Sequence, residues 1–480
     1  MQIELMGFVT VVVGAAIFLL PISVAFILLV VCTVFGAASA ISLPVLGGAS
    51  ILVPNLFLVF FVLRCLVAHG PGPAIEAIHV HRVGFLLLVI TVFGLWTAFT
   101  YPYLFQGDAE TMIVQRTAGA RNVITLAPLR FSSNNITQSV YALGSLLCFI
   151  FTFAHFLRTN DQGLFVKAML VVGGINLAFA LADIVTHFTG TNYLLGFVRT
   201  ANYALLTGAE KGGLKRISGT FPEASAFADY TVAIFAVTAT LWLARIRSRM
   251  TGIVAGLSLV FLVLSTSATA LVCLAIIVPV ILLQSFAASA VAPGRGRPAA
   301  LVAIAAGLPF LVVVVMVIFP DIAAAVYDFV DEIVLSKGDS QSGRERSAWN
   351  SVAYQTYIDT SWLGAGLGSA RASSYILVLL SNIGLPGLVL FCAFVVALLA
   401  RTTGARHDQS DSIVSAAKNG IFALLVTAVI SGTGYDLGLV FYLLAGFIAS
   451  QNIPTMRTTA GPYAAFGGTP DEFGAEALRQ

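Results

Sequence analysis

The chain has 480 residues, 58% of them hydrophobic and only 10% charged, with a formal net charge of +3 and a mean hydropathy of +0.95. Soluble domains carry roughly a quarter charged residues, so there is too little polar surface here to coat soluble cores, and disordered classes are excluded with them. The apolar surplus lies mostly in runs of about 20 residues, enough to cross about 30 Å of hydrocarbon as a helix, and the ten-residue alternation of an outer-membrane barrel is absent.

This composition reads as an all-α polytopic membrane protein. Apolar runs fall at 7–43, 49–67, 84–105, 137–157, 167–187, 221–243, 252–267, 269–288, 300–319, 373–400, 420–432 and 436–451. They predict about 12 transmembrane helices. The first run is long enough for two short passes broken at Pro21, or for one crossing plus a surface piece. It also exceeds a signal-peptide core and lacks a basic region before it, so no cleaved signal is expected.

Short links carrying Arg245, Arg247 and Arg249, Arg295 and Arg297, and Arg401 and Arg406 read as cytoplasmic by the positive-inside rule. With one crossing assigned to 7–43, parity places both termini in the cytoplasm and three longer loops, 106–136, 188–220 and 320–372, outside. The expected organisation is a transmembrane bundle over 1–319, a periplasmic loop over 320–372, C-terminal membrane helices over 373–451 and a disordered cytoplasmic tail over 452–480.

Those outer loops hold 11 of the 25 lysines and arginines. Arg116, Arg121 and Arg130 read equally well as solvated charge. The cluster from Lys211 to Arg216 and the group Arg344, Arg346 and Arg371 lie beside membrane runs. Arginine there suits a phosphate or pyrophosphate through bidentate charge-assisted hydrogen bonds.

The loop 320–372 predicts two amphipathic helices. Ile322, Val326, Phe329, Val330 and Ile333 share one helical face. A polar turn is expected over 336–343, and then Trp349, Val352, Ala353, Thr356 and Tyr357 repeat at helical spacing. Trp and Tyr favour the headgroup level, so the second helix either lies along the interface or packs on the rim of the bundle. Gly364, Gly366 and Gly368 follow. Alternate glycines can expose amides that cradle an anion, or simply let a loop turn into the next helix.

The segment Arg216-Ile-Ser-Gly-Thr-Phe-Pro-Glu-Ala-Ser225 stands at the outer start of a span. Pro222 and Glu223 fit the first turn of a helix. Glu223 and Asp229 are also acids at or inside a membrane run, where acids are expensive and usually functional. A partly desolvated carboxylate beside an arginine can act as general base toward a sugar hydroxyl. Asp183 and Asp436 read as functional acids or as buried helix-contact and capping groups. The histidines and the five cysteines make no metal-spaced motif, and the cysteines read as small apolar fillers.

Taken in order, Arg216-x-x-Gly219-x-Phe221 before a span, Ser342-Gly-Arg-x-x-x-x-Trp349, Gly364-x-Gly-x-Gly368, Ser374-Tyr375-Ile and Asn382-Ile-Gly-Leu-Pro-Gly387 resemble the O-antigen ligase/polymerase superfamily. These are bacterial inner-membrane glycosyltransferases with a GT-C-like fold. The stretch 342–387 is the specific part; elsewhere only the span pattern matches. The resemblance implies a polyprenyl-diphosphate-linked oligosaccharide as donor, transfer on the periplasmic face, no cofactor or metal, membrane lipids around the enzyme, and a flippase and chain-length regulator as partners. No nucleic-acid partner is expected. It assigns anion-binding roles to Arg216, Arg344, Arg346 and Arg371, with Gly366 and Gly368 nearby.

The His-Asn pair that many ligases of the family carry before the span reads Arg371-Ala-Ser-Ser374 here. That turns the expectation from ligation onto lipid A toward polymerisation of exopolysaccharide, capsule or O-antigen repeats, with Glu223 and Arg344 as the catalytic pair. A ligase, a secondary transporter and a structural subunit of an export complex are the alternatives.

Overall fold

The computed structural model describes residues 2–43, 49–79, 82–115, 123–202, 206–211, 214–291, 297, 304, 307, 340–401 and 409–451. Nearly all of the span expected at 300–319, the helix expected over 322–333, Arg116, Arg121, Arg295, Lys337, Arg406 and the 452–480 tail lie outside the described residues.

The first apolar run is not a single crossing. α1 (Leu5–Ala16) and α2 (Ile22–Cys32) run as a hairpin with Pro21 at its turn. Arg64 closes the turn, donating from Nε to the Ile17 carbonyl at 3.2 Å and from Nη2 to that of Leu20 at 3.1 Å. These are the carbonyls a helix end leaves unpaired. β1 (Gln2–Ile3), β2 (Ser39–Leu43) and β3 (Ala49–Leu52) then form an antiparallel sheet in which Gln2 lies opposite Ser42. The hairpin therefore returns the chain to the end it left, and Gln2 sits at the end of the bundle that carries residues 36–52. That corrects the parity that put the N-terminus with the short basic links.

α3 (Val53–His69) and α4 (Gly72–His79) are bent 106° apart. α5 (Arg82–Leu104) leads into a hairpin of β4 (Glu110–Gln115) and β5 (Val123–Pro128), and α6 (Ser133–Thr159) and α7 (Gln162–Phe188) follow. A short pair, β6 (Glu210–Lys211) and β7 (Leu214–Lys215), precedes α8 (Ala224–Leu243), α9 (Ser248–Leu264) and α10 (Ala268–Val291). Beyond these come α11 (Gln341–Asp359), α12 (Tyr375–Leu399), α13 (Gln409–Ser431) and α14 (Leu439–Ser450).

Among the described residues, seven helices are long and apolar enough to cross a membrane, and eight if the bent α3–α4 pair counts as one span. The protein is a mostly helical, membrane-embedded chain. This agrees with the all-α polytopic expectation, and the short strands pair among themselves in small sheets beside the helices. In β4 and β5 the runs Thr111-Met-Ile-Val and Val123-Ile-Thr-Leu favour an extended pair, which satisfies loop backbone that no helix would.

α8 lies near the centre, buried along most of its length. Its alanines and threonines let neighbouring helices approach closely. Thr240 accepts from Asn419 of α13 at 2.9 Å while donating to the Ala236 carbonyl at 2.7 Å, so buried hydroxyls there are satisfied. α14 packs on α6 so closely that a Cβ at Gly446 would stand 2.6 Å from the Phe149 carbonyl oxygen.

The loop segments gather at one end of the bundle. Thr356 donates to the Glu110 carbonyl at 2.8 Å, Asn135 to that of Leu367 at 2.8 Å, and the Ala37 amide to that of Thr220 at 2.9 Å. The basic links gather at the other, where Arg297 donates to the Trp242 carbonyl at 3.1 Å, Arg401 to that of Ala449 at 3.1 Å, and Gln162 to the Gln451 side chain at 2.7 Å.

Candidate functional site

The site starts from a buried acid. Asp183, near the C-terminal end of α7, is fully buried and ion-paired to Arg199 at 2.6 Å and Lys215 at 3.6 Å through Oδ1. Its Oδ2 accepts from the Ser218 amide at 2.8 Å, the Gly219 amide at 3.0 Å and the Ser218 hydroxyl at 3.2 Å. Arg199 also reaches the Gly219 carbonyl from Nε at 2.9 Å. Burial pushes the Lys215 ammonium below its ordinary value, and the Asp183 charge pulls it back up. Asp183 is thus a fully satisfied anchor, and it wraps residues 215–219 around one carboxylate.

Arg216 lies within that wrapped segment but outside the network. Its Nε is shielded from solvent and has no partner among the described residues. Burial lowers its pKa, Glu223 pulls it up, and the nearby Arg346 pushes it down.

Glu223 sits one residue before α8, in extended backbone at the N-cap position, and its side chain does not cap the helix. The expected place in the first helical turn is therefore off by one residue. Its carboxylate instead accepts from the Ser225 hydroxyl. Asp229, farther along α8, leaves Oδ1 shielded and unpartnered among the described residues, within the fields of Glu223 and Arg346.

α11 supplies the opposite wall. It starts at Gln341, capped by the Ser340 hydroxyl, which accepts from the Gly343 amide at 3.1 Å. The polar turn expected over 336–343 therefore ends inside a helix, and both of its arginines are helical. Arg346, Trp349, Asn350 and Ala353 recur at three- and four-residue spacing on one face. The Arg371 guanidinium lies over the Trp349 ring, 4.9 Å from its centroid, and the Asn350 side chain accepts from the Ser373 amide at 2.7 Å. Arg344, two residues before Arg346, falls on the far side of the helix and is exposed.

Arg371 is pushed below the ordinary arginine pKa by burial and pulled up by Glu223. Its Nε is shielded and unpartnered among the described residues. Arg216, Glu223, Arg346 and Arg371 thus share one electrostatic neighbourhood with Asp229, while Arg344 is exposed. No carboxylate of the described residues lies within 4.0 Å of Arg216, Arg346 or Arg371. Three cations and two acids share this neighbourhood with no salt bridge between them among the described residues, so cations outnumber acids in it.

The glycine loop has a different role from an exposed anion cradle. The Gly366 amide donates to the Asn382 carbonyl at 2.8 Å and the Gly368 amide to the Asn382 side chain at 2.8 Å. Gly364, Gly366 and Gly368 all have positive φ, and a Cβ at any of them would stand under 3.0 Å from neighbouring backbone. The loop is threaded between α5, α6 and the break in α12 at Gly384, so its amides are already used. It leads the chain to Arg371, and the Gly366 and Gly368 amides are not free to hold an anion.

Asn382 organises this threading. Its side-chain oxygen also accepts from the Ala370 amide at 3.3 Å, and its Nδ2 donates to the carbonyls of Ala370 at 3.0 Å and Val378 at 2.8 Å. Asn382→Ala strands the Gly368 amide in the interior and is expected to cost about 1–3 kcal/mol. A lowered thermal unfolding midpoint in detergent checks this. An unmoved midpoint would show that the loop holds itself.

Elsewhere, His69 Nε2 and His155 Nδ1 lie 3.4 Å apart among phenylalanines. Among the described residues no group of three or more His, Cys, Asp and Glu side chains converges on a common point. The chain matches no family model and no curated protein.

Proposed function

We propose that the protein is a glycosyltransferase that polymerises lipid-diphosphate-linked oligosaccharide repeats at the loop end of its membrane bundle. The observation that carries this reading is the cluster of Arg216, Arg346 and Arg371 in the field of Glu223, with no salt bridge to a carboxylate among the described residues. Arginine forks fit a diphosphate, and an acid inside that cluster is placed to receive a proton. The basic links at the opposite end, with Arg245, Arg247, Arg249 and Arg401, support a cytoplasmic assignment there. The arginine cluster then faces the periplasm of a bacterial inner membrane.

In this reading the bond between the donor's anomeric carbon and the diphosphate oxygen breaks, and the diphosphate leaves with the electron pair. The acceptor hydroxyl oxygen forms the new bond to that carbon, and its proton passes to the Glu223 carboxylate. The arginines stabilise charge building on the leaving diphosphate. Exposed Arg344 suits steering an anionic headgroup inward more than holding it.

The test is transfer by the purified protein from a lipid-diphosphate oligosaccharide in detergent. Arg216→Ala and Arg346→Ala are each expected to lower kcat/KM by about 10–100-fold, the worth of a charge-assisted hydrogen bond. Arg344→Ala should change it only a few fold. Normal transfer by both inner variants would sink the assignment, as would a larger loss at Arg344 than at Arg346.

One feature favours a second reading. Between α13 and α14 the helix is interrupted over 432–438, and Asp436 accepts from Ser145, twelve residues into α6, at 2.7 Å. Interrupted helices with buried acids also build secondary transporters. Solute uptake driven by a proton or sodium gradient in proteoliposomes would support that reading instead.

A further inference from the structure

A second space borders Arg371. It is a cavity of about 150 Å³, enclosed by the first turns of α6, the glycine loop and the interrupted segment 432–438. Asn134, Gln138, Gly368, Arg371, Thr433 and Tyr435 line it. Two of its polar atoms lack partners among the described residues: the Gln138 Oε1 acceptor and the Arg371 Nε donor, both shielded from bulk solvent. Stranded polar atoms of this kind need a partner that the fold itself does not supply.

We propose that this cavity is a subsite for one neutral pyranose ring. A sugar hydroxyl is donor and acceptor at once, so a single hydroxyl can receive from Arg371 and donate to Gln138. Asn134 and Thr433 offer further amide and hydroxyl groups, and the Tyr435 side chain completes the wall. Among the described residues Arg371 is the only charged group in the lining, which suits a hydroxylated ring better than a second diphosphate. The volume is below the ~300 Å³ at which pockets for drug-sized ligands begin, so it takes one ring and no longer chain.

The ring's role rests on the transferase reading. Arg371 lies in the field of Glu223 and also lines this cavity. A ring held here shares Arg371 with the arginine cluster, as the terminal sugar of an acceptor would.

The experiment uses the full-length protein in detergent and methyl glycosides of glucose, galactose, mannose and N-acetylglucosamine, with binding followed by saturation-transfer NMR. At least one glycoside is expected to saturate. Gln138→Leu on α6 and Thr433→Val on the separate 432–438 segment should each weaken it about tenfold, one hydrogen bond's worth. In the transfer assay the same variants should raise the acceptor KM by a similar factor and leave the donor KM alone. Absence of saturable binding overturns the subsite, because the cavity then holds water only. Binding indifferent to both substitutions overturns it as well, as does a rise in donor KM instead. Saturable binding that depends on Gln138, in a protein that transfers nothing, supports the subsite and sinks the transferase reading.

Discussion

Glu223→Gln is expected to slow glycosyl transfer by about 10²–10⁴-fold, the usual range for losing a positioned general base. The amide keeps the shape of the side chain and can still accept from the Ser225 hydroxyl, but it cannot take the acceptor's proton. Binding of the lipid-diphosphate donor should move the other way. Glu223 is an acid whose charge acts on both Arg216 and Arg371. Removing its charge leaves the arginine cluster more positive, so donor affinity should hold or tighten. Initial rates at saturating donor, measured beside direct donor binding, separate the two effects. An unchanged rate would show that Glu223 is not the base. Loss of rate and donor binding together would mean that the carboxylate positions the arginines instead.

The contrast between Arg344 and Arg346 shows what the sequence could and could not carry. Both arginines follow the same serine-glycine pair, and composition treats them alike. Their separation depends on the helix starting at Gln341, because two residues along a helix turn a side chain to the opposite face. The motif spacing fixes neither that start nor the face. Arg216, Glu223 and Arg371 were legible because charge is scarce in this chain, and a charge beside a membrane run stands out. The spans were legible from length and hydropathy, and most expected runs reappear as helices. The N-terminal hairpin was not, because Pro21 is compatible with a kink, a break or a turn. Only the pairing of Gln2 with Ser42 decides among them. The glycine loop misleads for a related reason: alternate glycines signal close backbone approach, and the sequence does not say whether the approaching group is a ligand or Asn382. Gln138 left no signal at all, since one amide on an amphipathic helix start is ordinary until a cavity forms against it.

Asp183→Asn should have the largest effect on stability. The substitution keeps the volume and removes the charge that Arg199 and Lys215 share in the interior. Breaking one side of a buried ion pair costs about 3–5 kcal/mol, because the remaining charge is left uncompensated. The asparagine amide worsens the fit if its NH₂ replaces Oδ2, since it would then confront the Ser218 and Gly219 amides, both donors. The damage should spread to the arginine cluster, because the same carboxylate holds Lys215 on one side of Arg216 and Ser218 and Gly219 on the other. Donor affinity is therefore expected to fall together with the thermal unfolding midpoint, the reverse of the pattern for Glu223→Gln. Adding Lys215→Met removes one of the two stranded cations and should restore part of the midpoint. An Asp183→Asn protein with the wild-type midpoint would show that the network is dispensable. One with a lowered midpoint but intact donor affinity would show that Arg216 is held by something other than the wrap around Asp183.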